Sequence, residues 1–308
     1  MENSIDELTA DEISALSRAY GWIDATFLLI YSGENATFLV EAQEVTCALR
    51  KYRQNDLSLI RAELAWMSEL SVEVAIPRVL PTQQNDFFAQ IAGETYAAFR
   101  YLEGHYVEEN TPDNLFRLGR IFSTLHAASE EVSKRMPPDW IGWQRPTFDR
   151  ERTIEKPLEH LLAADFLTLE DKVRCEHVAA ELSKRWQPLA KKTFIHADLH
   201  FGNVLEQDGR WFCLDFDECG FGSRYFDLGV VKFHLMAEDG LEFLPDFRRG
   251  YGAPLLDEDL SLGTALRIFY TAGKIPQRLD IPELAENPKE IVQRYLGYLE
   301  AELGEDFL

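Results

Sequence analysis

Apolar residues recur along this chain in two rhythms, and the switches between them divide it into elements. Ile13, Leu16 and Tyr20 stand at helical spacing before Gly21, behind two stretches that fit a capping box, Ser4-Ile5-Asp6-Glu7 and Thr9-Ala10-Asp11-Glu12. A short N-terminal helix follows from that pattern. Three strand-like runs come next, at 25–31, 36–41 and 45–52. Leu57, Ile60, Leu64, Met67 and Leu70 then mark the stripe of a helix over 56–70. Runs at 87–91 and 95–101, joined through Ala92-Gly93-Glu94, read as an antiparallel pair.

Beyond residue 103 the rhythm becomes mostly helical. Thr111-Pro112-Asp113 supplies a cap and a proline at the first helical position, and Leu115, Leu118, Ile121, Phe122, Leu125 and His126 continue as one face. His126 reads as a core histidine satisfied by a hydrogen bond. Pro137-Pro138 and the aromatic stretch 140–143 interrupt the pattern before helices resume at 149–164 and 169–187. A short apolar strand at 193–195 precedes a hairpin in which Asp208-Gly209 separates Val204-Leu205 from 211–214. Helices close the chain at about 225–236, 257–271 and 288–303. The expected organisation is α+β, with a sheet-rich lobe over 1–103 and a mostly helical lobe over 104–308.

Composition narrows the classes. At 308 residues with 46% apolar and 12% aromatic side chains, the chain is long enough for a sizeable core and is not disordered. It contains no run of eighteen apolar residues, and Met1-Glu2-Asn3-Ser4 lacks the basic-then-apolar start of a signal peptide, so a cytoplasmic protein without membrane attachment is expected. Cys47, Cys175, Cys213 and Cys219 show no paired metal spacing, and disulfides are not expected. A net charge of −22 argues against a nucleic-acid partner and favours a cationic one.

The chemistry concentrates at 193–227. His196-Ala197-Asp198 follows the short strand, and Asn203 follows Asp198 after four intervening residues, the spacing at which an Asp accepts a hydroxyl proton while an Asn holds Mg²⁺. The hairpin returns the chain so that Asn203 at its start and Asp215 at its end lie together, and two converging oxygen ligands suit Mg²⁺. The competing assignment makes His196, Asp198 and His200 the ligands of a metallohydrolase zinc. Asp227 is expected to brace the loop by hydrogen bonds, with His196 in a structural role.

His196-Ala197-Asp198-Leu199-His200-Phe201-Gly202-Asn203, then Asp215-Phe216-Asp217, then Asp227-Leu228, resembles the signature of the aminoglycoside phosphotransferase and choline kinase-like family, where many members carry Gly in place of Ala197. The resemblance implies a bilobal protein-kinase-like fold and an ATP- and Mg²⁺-dependent kinase acting on a small-molecule hydroxyl, such as an aminoglycoside, choline, homoserine or a sugar. It makes Asp198 the catalytic residue and Asn203 and Asp215 metal ligands. Asp217 either assists the metal or shapes the acceptor pocket. Arg50, with Lys51 as the alternative, would contact the nucleotide phosphates and pair with Glu63. The turn at Gly33 and Asn35 would cover the phosphates, and the segment around Tyr101 would face the adenine. A nucleotide-binding regulatory module and a protein Ser/Thr kinase are the alternatives on the same fold.

Overall fold

The computed structural model describes residues 7–53, 56–71, 74–187 and 193–304. The chain begins with α1 (Ala10–Tyr20), β1 (Thr26–Ser32), β2 (Ala36–Ala42), β3 (Val45–Tyr52) and α2 (Leu57–Leu70). Next come β4 (Val79–Leu80), β5 (Ala89–Ile91), β6 (Glu94–Arg100), β7 (His105–Tyr106) and α3 (Pro112–Arg135). After them stand α4 (Lys156–Ala163), α5 (Leu169–Arg185), β8 (Thr193–Ile195), β9 (Val204–Gln207), β10 (Arg210–Cys213) and β11 (Gly220–Gly222). The last elements are α6 (Arg224–Ala237), α7 (Leu244–Tyr251), α8 (Asp257–Lys274), α9 (Pro282–Glu286) and α10 (Pro288–Leu303). Two compact units result. One comprises Met1–Val107, Lys134–Arg145 and Asn203–Asp217; the other comprises Glu108–Ser133, Pro146–Gly202 and Glu218–Leu308.

The first unit is built on an antiparallel sheet in the order β1-β2-β3-β6-β4, with β5 also paired to β6. Its entry helix α1 starts where the second capping box predicts: Glu12 N–H donates to Thr9 Oγ1 at 3.2 Å and Thr9 N–H to Glu12 Oε2 at 2.8 Å. The box at Ser4 falls on residues outside those described. Gly21 ends the helix with φ 73°, a left-handed conformation open to glycine. Leu16 and Tyr20 of α1 pack with Phe38, Val40, Cys47 and Leu49 on one face of the sheet. Asp56, just before α2, accepts from the N–H groups of Ser58 and Leu59. Both hairpin turns are tight and left-handed, with φ 54° and 89° at Ala92-Gly93 and 51° and 75° at Asp208-Gly209. The second closes β10 onto β9, which also pairs with β7 in a separate three-stranded sheet.

The second unit is helical apart from the short antiparallel pair β8–β11, in which Ile195 opposes Gly220. Its core gathers Phe226 and Phe233 of α6, Ile268 and Phe269 of α8, and Val292, Leu296 and Leu299 of α10. Helices α6 and α8 approach backbone to backbone. A Cβ on Gly263 would lie 2.2 Å from the Tyr225 carbonyl oxygen, and one on Gly229 would lie 2.7 Å from the Thr264 nitrogen. The helix expected over 149–164 starts as a π-helical turn, Glu151–Glu155, before α4. Cys47, Cys175, Cys213 and Cys219 are all buried; burial pushes Cys47 up to about 12 and Cys175 up to about 11. Among the described residues no helix is long and apolar enough to cross a membrane.

His200, at the end of the 196–200 loop, stacks on His234 of α6 with ring centroids 4.2 Å apart. Burial lowers both imidazoles, and His200 adds to the effect on His234, which falls to about 3. Such histidines are neutral when folded but take up a proton when unfolded, so their contribution is complete above the usual histidine range and is lost as pH falls from about 6.5 toward 3.

Two outcomes test this packing. Gly263→Ala forces α6 and α8 apart, so chemical denaturation is expected to show a loss of about 1–3 kcal/mol. Lowering the pH from 7 to 5 is expected to remove on the order of 1–2 kcal/mol from the wild type, and His234→Phe to flatten that dependence in the same denaturation series.

Candidate active site

Alternation along β3 decides which cation meets the carboxylates of the first unit. Arg50 and Tyr52 share one face; Lys51 points to the other, its Nζ 6.0 Å from the centre of the Tyr96 ring. Arg50 Nη1 pairs with Asp217 Oδ1, its Nη2 lies 3.3 Å from Asp215 Oδ1, and Nη1 lies 3.8 Å from Glu63 Oε1. Glu63 is buried on α2, where Tyr52 donates a hydrogen bond to it at 3.2 Å. A second guanidinium, Arg145, lies 4.0 Å from Glu63 Oε2 and donates to the carbonyls of Leu59 and Asp217. Burial raises the Glu63 carboxyl, against the pull of Arg145 and Arg50. The same balance pushes Asp217 up to about 8: burial outweighs Arg50, and the negative charges of Glu63 and Asp215 add to it.

The hairpin register supplies the third part. Val204 opposes Cys213, and Leu214 N–H donates to the Asn203 carbonyl at 2.9 Å. The backbone of Asn203 is therefore laddered to the residue just before Asp215. Asp215 adopts φ 57°, a conformation rare outside glycine and concentrated at functional sites, and its side chain is 46% exposed. Asp217 is differently placed: Oδ1 accepts from Arg50 and Oδ2 from the Asn35 amide. Asn35 is clipped in turn, since its side-chain oxygen accepts from Arg53 N–H at 3.1 Å and its carbonyl from Gly33 N–H at 3.0 Å. Tyr101 lies just past β6, and its N–H donates to the Thr46 carbonyl at 3.4 Å.

Three carboxylates face two guanidiniums here, and the outward one is Asp215. An oxygen-rich set whose exposed member, Asp215, faces outward fits a hard divalent cation of the Mg²⁺ type, which binds one or two carboxylates and completes its shell elsewhere. Among the described residues, no three His, Cys, Asp or Glu side chains form a cage that would hold an ion alone.

In the second unit Ala197 stands in the left-handed region, at φ 66°. Both ends of this residue are held. Its N–H donates to Asp227 Oδ1 at 2.6 Å, its carbonyl accepts from Arg267 Nη1 at 2.6 Å, and the preceding His196 N–H donates to Asp227 Oδ2 at 3.2 Å. Asp227 thus braces the loop as expected, and His196 is fully buried beside it. His126 is the satisfied core histidine, with Nε2 2.9 Å from Asp227 Oδ2 and Nδ1 3.1 Å from the Tyr251 hydroxyl. Asp198 emerges from this clamp with Oδ1 paired to Arg267 Nη2. His200 stacks on His234, so the structure gives no ligand trio of His196, Asp198 and His200.

The sequence did not single out Arg145 or Arg267. Each stands alone in its stretch, one after an aromatic run and one on an amphipathic helix, and only packing reveals that they are buried.

The chain is similar to known proteins in sequence and in fold. The model of the phosphotransferase enzyme family matches residues 28–261, well over half of the chain. A homoserine kinase of Rhizobium meliloti (strain 1021) is 24% identical over 210 residues, 65% of this chain; the chain spans 60% of that relative's length. An amicoumacin kinase of Bacillus subtilis (strain 168) is 22% identical over 262 residues, covering 75% of this chain and 73% of the relative. Among solved structures, a microcompartment-associated aminopropanol kinase superposes with a TM-score of 0.71 at 23% identity, over 94% of both chains. The amicoumacin kinase hAmiN, solved with AMP-PNP and Ca²⁺, gives 0.72 at 19% identity, over 94% of this chain and 92% of the other. The likeness in structure shows the kinase-like α+β fold, and with the family match it establishes that this chain belongs to the phosphotransferase enzyme family.

Proposed function

We propose that this chain is an ATP- and Mg²⁺-dependent phosphotransferase that moves the γ-phosphoryl group to a hydroxyl of a small molecule. The observation that carries the reading is the placement of Arg50 among Glu63, Asp215 and Asp217, with Asn203 laddered beside Leu214. Arg50 grips the nucleotide phosphates, and Glu63 and Asp217 hold its guanidinium in place for that task. Asn203 and Asp215 are the proposed ligands of the metal, which when bound neutralises phosphate charge. Asp217 acts as the strut joining Arg50 to the Gly33–Asn35 turn over the phosphates, and the backbone after Tyr101 faces the adenine.

Phosphoryl transfer passes through a loose transition state, so the protein mainly positions and neutralises. Asp198 orients the acceptor hydroxyl. As the new O–P bond forms and the bridging bond to ADP breaks, the hydroxyl proton passes to the Asp198 carboxylate. The relatives named kinases, and the AMP-PNP and Ca²⁺ bound by hAmiN, support the reading.

ADP release with a panel of small hydroxyl compounds is the measurement. Asp198→Ala is expected to lower kcat by about 10³-fold or more while nucleotide still binds. Arg50→Ala is expected to raise the ATP KM by about 10- to 100-fold, the worth of a charged hydrogen-bond set. Wild-type protein that binds nucleotide yet releases no ADP with any acceptor would make the chain a regulatory nucleotide-binding module instead.

A further inference from the structure

A second group of charges, in the helical unit, runs along α8 away from Asp198. Arg267, Tyr270 and Lys274 recur there at helical spacing, on one side of the helix. Arg267 pairs with Asp198, and its guanidinium carbon lies 5.8 Å from the Tyr270 ring centre. The Tyr270 hydroxyl donates to Glu218 Oε2 at 2.7 Å, and Lys274 Nζ lies 2.6 Å from Glu218 Oε1. Burial would raise Glu218, but Lys274 and Tyr270 prevail and hold it at about 2, so this carboxylate is ionised and fully committed.

Arg152 completes the group, bonded to the Tyr270 hydroxyl but paired with no carboxylate. It lies in the π-helical turn Glu151–Glu155, a local geometry that is rare and frequent at functional sites. Helix α4, which continues the turn, lies close against α8: a Cβ on Gly273 would meet the Pro157 backbone at 2.4 Å. The Arg152 guanidinium lies 5.1 Å from the Phe148 ring centre and 5.8 Å from that of Tyr270, and Nη2 donates to the Tyr270 hydroxyl at 3.3 Å. Its Nε is buried with no hydrogen-bond partner. The carboxylates next to it in sequence are taken: Glu151 pairs with Lys156, Glu155 with Arg150, and Asp149 caps the Arg152 N–H. Among the described residues no carboxylate pairs with Arg152. The group therefore sets three cations, Arg152, Arg267 and Lys274, against two carboxylates, Asp198 and Glu218. A partly buried guanidinium left without a counter-charge is unfavourable unless a ligand brings one.

We infer that Arg152 is the specificity residue for an anionic group on the acceptor, and that the acceptor is a hydroxyl compound bearing a carboxylate. The inference rests on the kinase reading above and deepens it. It also runs against the cationic partner that the overall charge of −22 favours, because the charge lining this group is locally of the opposite sign. Guanidinium and carboxylate match as a bidentate pair, and a site built for such a pair discriminates strongly against an acceptor that lacks it.

The test uses pairs of hydroxyl compounds that differ by one carboxylate, such as homoserine against 3-amino-1-propanol and serine against ethanolamine. ADP release and calorimetric binding are measured for the wild type and Arg152→Gln. The wild type is expected to favour at least one carboxylate-bearing member over its partner by at least about 10-fold in kcat/KM. Arg152→Gln is expected to erase that preference by raising the acceptor KM, with the ATP KM within about twofold of the wild type. Arg152→Lys, which keeps the charge but not the fork, is expected to fall between them. Decarboxylated acceptors used equally well throughout the panel, or a preference that survives Arg152→Gln, overturns the inference and leaves the kinase reading standing. Absence of ADP release with every acceptor overturns the kinase reading, while a carboxylate preference in the binding arm that Arg152→Gln removes still supports the anion site. Should Arg152→Gln fail to fold, the wild-type binding preference alone decides, and its absence sinks the inference.

Discussion

The buried carboxylate of Asp227 is the constraint on which the 196–200 loop depends. It accepts from the N–H groups of His196 and Ala197 and meets His126 Nε2, so three groups fix its two oxygens. An alanine in the left-handed region costs on the order of 1 kcal/mol. Asp227 on one side of Ala197 and Arg267 on the other determine that conformation more tightly than the strain can relax it. The left-handed φ would suit a glycine at this position, and the small alanine is tolerated once its peptide groups are clamped. Asp198 inherits its direction from that clamp.

The two units solve opposite electrostatic problems with the same few residue types. Around Arg50 the carboxylates outnumber the cations, and the surplus falls on the exposed Asp215. Around Tyr270 the cations outnumber the carboxylates, and the surplus falls on Arg152. A net charge summed over 308 residues carries neither fact. Local charge follows from which strand or helix face a residue occupies.

Much of the fold was legible in the sequence, because long amphipathic helices and glycine-bearing turns are local features. The stripes of α2 and α3, the helices α8 and α10, the capping box at Thr9 and the Asp208-Gly209 turn all stand where the sequence places them. The short pieces β7, β11, α7 and α9 escaped, since two to eight residues do not establish a period. Within the candidate site, alternation on β3 separated Arg50 from Lys51, and the hairpin brought Asn203 toward Asp215. The pairing of Asn35 with Asp217 joins residues 182 positions apart, and no local pattern encodes it. Arg145, Arg152 and Arg267 were invisible for a related reason: a lone arginine reads as solvated until the elements packed around it are known.

The four thiols have a use that follows from their placement. Cys47 and Cys213 belong to the sheet-bearing unit and Cys175 and Cys219 to the helical one, and all are shielded from solvent. A shielded sulfur does not react with an alkylating reagent, so modification proceeds only through transient opening of the surrounding structure. Each pair is thus a native chronometer, and the relative labelling of the two pairs reads out separately how often each half of the chain breathes.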